Sequence, residues 1–121
     1  MIKSIKIQRI KMIIQLEQLN QLCKGDPEKK RKYLLQFLEL VPPRIQQIKK
    51  ALKAGDHKSV RQTIHFLAPQ LAFFGIPDFV DILKTTKGRP EALTLDHLRP
   101  VLKKIGIGIT EIERLLKEIN N

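Results

Sequence analysis

The chain has 121 residues, 23 of them basic and 12 acidic, a formal net charge of +11 and an apolar fraction of 42%. That length and apolar content suit one domain around one core, and no run approaches the roughly 20 apolar residues of a membrane span. The single cysteine, Cys23, excludes an internal disulfide and suits a reducing cytoplasm, with the thiol as a small buried hydrophobe.

Residues 1–14 form a basic N-terminal segment. Ile2, Ile5, Ile10 and Ile13 suit a helix, Ile5 and Ile7 between lysines suit a short strand, and a tail outside the core also fits. Lys3, Lys6, Arg9 and Lys11 interrupt any secretory apolar core, so a cytoplasmic protein is expected. Residues 15–121 read as a single helical domain. Gln15 to Cys23 makes a short helix, stopped by Lys24-Gly25-Asp26-Pro27. Asp26 caps the next helix, with Pro27 at its first position. Tyr33, Leu34, Phe37, Leu38 and Val41 supply the apolar face of that helix. Pro42-Pro43 is expected to end it and start another, which closes at Gly55.

Asp56 caps the following helix. Its apolar stripe is Val60, Ile64, Leu67, Leu71 and Phe74, spaced at alternating four- and three-residue steps. At about 100° per residue, His65 falls roughly 140° from the middle of that stripe and faces outward. Lys58, Arg61, Ala68, Pro69 and Ala72 share the outer face, with Phe66 and Phe73 beside it. The alanines leave the ring open to a visitor, and Lys58 and Arg61 favour an anion there. Gly75-Ile76-Pro77 breaks the helix. Asp78 starts another, with Phe79, Ile82 and Leu83 inside, and Gly88-Arg89-Pro90 punctuates again. Thr94 caps a long last helix reaching about Ile119, with Gly106-Ile107-Gly108 as its weak point. Glu111, Glu113 and Glu118 read as a solvated face of it. His57 and His97 read as surface histidines, and neither pairs with Cys23 at a metal-ligand spacing. Four main helices joined by short links predict an antiparallel bundle.

At His65-Phe66-Leu67-Ala68-Pro69-Gln70-Leu71-Ala72-Phe73-Phe74-Gly75 the chain resembles the histidine-containing phosphotransfer (HPt) domains. Ala51-Leu52-Lys53-Ala54-Gly55-Asp56 resembles that family's turn before its histidine helix, and Phe37 with Pro42-Pro43 resembles its preceding helix. The resemblance covers roughly residues 15–119. It implies an all-α, antiparallel four-helix HPt-like bundle with an additional short N-terminal helical segment. It also implies that His65 accepts a phosphoryl group from an aspartyl phosphate of a response-regulator receiver domain and passes it to another. Imidazoles as a class titrate near neutrality, so a nucleophilic nitrogen suits this chemistry.

Such a carrier has no turnover and no cofactor of its own, because the receiver brings the divalent metal and an acidic pocket. Receivers, and a hybrid histidine kinase, are then the partners of a monomeric chain with no small-molecule substrate and no membrane. The expected docking surface is Phe66, Ala68, Pro69, Ala72 and Phe73. Two departures stand out: Ala68 where the family usually has lysine, and Pro69 where it usually has glycine. Lys58 and Arg61 remain near the phosphate. By gap-free counting Lys87 does too, with Lys84 or Thr86 in its place if the register slips.

Charge supports other functions as well. Residues 1–60 carry 14 basic and 5 acidic side chains, net +9, and residues 61–121 carry 9 and 7, net +2. A degenerate HPt-like adaptor that binds a receiver or kinase without being phosphorylated stays open. A basic helical nucleic-acid-binding module is the weaker alternative, since the chain shows no zinc-finger spacing, aromatic RNA-binding signature or helix-turn-helix.

Overall fold

A computed structural model of the chain describes residues 12–120. The described residues fold into five α-helices and no strand. These are α1 (Glu17–Cys23), α2 (Pro27–Lys53), α3 (His57–Phe73), α4 (Asp78–Thr85) and α5 (Leu95–Asn120), with a 3₁₀ turn at Pro90–Ala92. None of these helices is long and apolar enough to cross a membrane. The expectation for residues 1–11 lies outside the described residues.

Helix α2 corrects the expected break at Pro42-Pro43, because it runs unbroken through both prolines. Each proline removes a backbone donor and crowds the carbonyl four residues earlier, at a cost of about 3 kcal/mol in a helix interior. The offset is tertiary. Leu34, Phe37, Val41, Ile45 and Ile48 form one buried stripe that crosses the prolines in register. A break at Val41 would turn the second half of that stripe away from the core. Arg44 also sends Nη1 to the Leu40 carbonyl, 3.5 Å away, within this loosened turn.

Helix α2 packs against α1, α3 and α5, and α3 also packs against α4 and the 3₁₀ turn. Phe37 of α2 meets Phe74 edge-on at 4.9 Å, and both rings are buried. On α5 the buried stripe is Leu98, Val101, Leu102, Ile105, Ile112 and Leu116. It continues straight through Gly106 and Gly108 without interruption. Thr94 caps α5 as expected, its Oγ1 accepting the His97 N–H at 3.2 Å.

Helices α2 and α3 end in the same device. At each end the C″ amide (Asp56, Ile76) bonds back five residues (to Ala51, Leu71), and the glycine before it bonds back three. Gly55 and Gly75 take φ of +69° and +92°, the left-handed conformation this closure requires. Gly75 is the tighter of the two, since a Cβ there would sit 2.8 Å from Gln15 Cβ. Gly75→Ala is therefore expected to destabilise the protein by about 1–3 kcal/mol, the range for strained backbone. Gly55→Ala, with open space around it, should fall at the low end. Equal losses for the two in urea unfolding would show that the Gln15 contact does not matter.

The segment before α1 is part of the folded unit. Ile14 is buried, and Gln15 N–H donates to the Phe74 carbonyl at 2.9 Å. The carboxylate of Glu111 accepts the amides of Ile13 and Ile14, at 3.0 and 2.8 Å. Glu111 thus departs from the solvated face expected for it and is buried under this strap. The helical spacing marks its position on α5 but carries no sign of a chain segment 97 residues away.

Candidate functional site

Asp56 starts the site by starting α3. Its Oδ1 accepts the Ser59 N–H at 3.1 Å and its Oδ2 accepts the Ser59 hydroxyl at 2.7 Å. The Ser59 hydroxyl and then the Ser59 amide hold the Asp56 carboxyl below the usual aspartate value; slight desolvation opposes them, and Lys58 and His57 add electrostatic attraction. A depressed folded value means that the ionised carboxylate stabilises α3 above the unfolded pKa. That contribution is lost as pH falls through the folded value. Asp56→Asn keeps a capping oxygen, so it is expected to change stability little at neutral pH and to lessen the acid sensitivity. Parallel loss of stability in both proteins on acidification would refute this.

His65 stands exposed at the centre of α3. Pro69, four residues on, has no N–H to give the His65 carbonyl, yet α3 continues to Phe73. His57, Lys58, Arg61, Gln62 and His65, with Pro90 of the 3₁₀ turn, line a cleft of about 370 Å³. Arg61 is half-buried, and its Nη1 donates to Thr86 Oγ1 at 3.4 Å. Thr86 is itself buried and donates its hydroxyl to the Ile82 carbonyl at 2.6 Å. No carboxylate lies within ion-pair distance of Arg61 among the described residues. Lys87 is exposed and does not line the cleft; its neighbour Thr86 is the residue that reaches across to α3. His57 differs from the surface histidine expected. It is half-buried, and its Nδ1 is buried with no hydrogen-bond partner among the described residues.

The expected docking face divides. Phe66 is 52% exposed and lies under the Arg44 guanidinium, 4.2 Å from the ring centroid. Pro69 is exposed, while Ala72 and Phe73 are half-buried, Phe73 meeting Phe74 edge-on at 5.3 Å. Ala68 is a correction: at 4% exposure it belongs to the core, not to the outer face. Helix α3 is flanked by both α2 and α4, so its buried stripe is wider than one neighbour would make it and takes in Ala68 between Ile64 and Leu71. A lysine at 68 would have to thread its stem out of that packing. Arg44 and Thr86 are the partners that helical arithmetic on α3 alone missed. Arg44 becomes visible only once α2 is taken as one helix through its prolines.

Comparison of the chain with protein-family models, with curated protein sequences and with solved structures gave no match.

Proposed function

We propose that the protein is a phosphoryl carrier in two-component signalling, built as an antiparallel four-helix bundle of HPt type. In this function His65 takes a phosphoryl group from an aspartyl phosphate of one receiver domain and gives it to another. The observation that carries the proposal is an exposed imidazole at the middle of α3 with a guanidinium one helical turn away that no carboxylate among the described residues pairs with.

In the forward step an imidazole nitrogen attacks phosphorus, the N–P bond forms, and the P–O bond to the aspartate breaks. The aspartate leaves as a carboxylate, and the imidazole proton passes to solvent. The reverse step restores the ring for another round. Arg61 and Lys58 sit where they attract the transferring dianion, and the receiver supplies its own metal and acidic pocket. The basic first half of the chain suits such an acidic partner, mainly by speeding encounter.

One observation favours the adaptor function instead. With Ala68 buried, the turn after His65 offers no cation. The two functions separate on incubation with a panel of phosphorylated receivers. A carrier acquires acid-labile, alkali-stable phosphate; an adaptor binds without acquiring it. Docking is expected over Phe66, Pro69, Ala72 and Phe73. Ala72→Arg should then block binding to the cognate receiver by bulk, about tenfold or more for a central contact. Unchanged binding by Ala72→Arg would move the docking surface elsewhere.

A further inference from the structure

We propose that the cleft beside His65 is a pocket for a phosphate dianion organised around Arg61, with Thr86 as the positioning residue of its guanidinium. That the dianion held there is the phosphoryl group of His65 rests on the carrier function proposed above; the pocket itself does not.

His57, Arg61 and His65 follow one another at four-residue steps, so they stand in a column on one face of α3, about 6 Å of helix rise apart. Arg61 is the middle member, within reach of a group seated against either imidazole. A half-buried charge with no counter-ion is unfavourable. The hydrogen bond from Arg61 Nη1 goes to a neutral hydroxyl, and the guanidinium carries further N–H donors in its fork. Thr86 fixes the fork, because its own proton is committed to the Ile82 carbonyl and its lone pair faces Arg61. A planar fork held in place binds two oxygens of one phosphate at once.

The surroundings also select for an anion. None of the residues lining the cleft is a carboxylate. Asp56, the cap of α3, is turned onto Ser59 and lines a different cleft. Glu91 is exposed beside Pro90 but lies outside the lining. Lys58 adds a second positive charge and His57 a second imidazole to the lining. At about 370 Å³ the cleft has room for the anion and bridging water.

The test is a titration of the unmodified full chain with inorganic phosphate against chloride, at fixed pH and ionic strength, read by imidazole nuclear magnetic resonance. His97, exposed at the start of α5 and outside the cleft, is the internal reference. Saturable shifts are expected at His57 and His65 and none at His97. Arg61→Gln should weaken phosphate binding about tenfold or more, the scale of a lost charge-assisted pair. Thr86→Val, nearly equal in shape, should weaken it several-fold, and Thr86→Ser should restore it. Absence of saturation, an equal response at His97, or undiminished affinity in Arg61→Gln overturns the pocket.

A second arm separates free phosphate from the covalent group. Chain phosphorylated on His65 should no longer bind free phosphate, because its own phosphoryl group fills the cleft. Undiminished binding there overturns that placement of the phosphoryl group. Saturable phosphate binding in a chain that no receiver phosphorylates refutes the carrier function and leaves the pocket standing.

Discussion

His65→Gln is expected to remain folded and to take no acid-labile phosphate from any receiver that phosphorylates the natural chain. The side chain is exposed at mid-helix, where substitutions usually change stability by no more than about 0.5 kcal/mol. Glutamine keeps the polarity and reach of the ring, but its amide nitrogen is not nucleophilic. The effect is therefore all-or-none on chemistry and near zero on folding. His97→Gln should leave phosphorylation intact. Phosphate retained by His65→Gln would show that His57 or His97 is the acceptor, or that the labelling is unspecific. A mutant that loses helicity would show that His65 has a structural role that its exposure does not suggest.

Glu111→Ala is expected to cost about 3 kcal/mol, since hydrogen bonds to a charged group contribute roughly 1.5–3 kcal/mol each and the Ile13 amide is partly open to water. That is a large share of the roughly 5–15 kcal/mol that holds a small domain folded. The loss reaches beyond two hydrogen bonds. Ile14 and Ile76 both close over Gly108, 3.1 and 3.3 Å from where a Cβ on that glycine would be, so a freed strap uncovers that end of the core. Glu111→Gln should fall between, because its one carbonyl oxygen can accept an amide while its NH₂ faces another donor. Urea unfolding measures the loss, and amide exchange at Ile13 and Ile14 should accelerate in step. A loss under about 1 kcal/mol, with exchange unchanged, would mean that the strap is held by its apolar contacts alone.

Much of this molecule is local in origin and therefore legible in the sequence. The caps at Asp26, Asp56 and Thr94 are side chains bonding amides two or three residues away. The closures at Gly55 and Gly75 need only a residue that accepts positive φ. The outward face of His65 follows from helical spacing within one element. In each case the partners lie within one or two turns of chain, so the pattern of residue types contains the interaction.

Tertiary structure decided the rest. Pro42-Pro43 breaks a helix by local rules, yet α2 continues because a stripe from Leu34 to Ile48 is buried against other helices. Ala68 has the size and spacing of an exposed small residue, yet it is buried because α3 has a neighbour on each flank. Glu111 resembles its solvated neighbours on α5, yet it holds two amides from the other end of the chain. Arg61 finds Thr86, 25 residues on, and Arg44 finds Phe66 on another helix. Local hydrogen bonding and periodicity act over a few residues and leave a signature in the order of the amino acids. Burial and long-range pairing depend on which surfaces the packed helices bring together, and those surfaces exist only after folding.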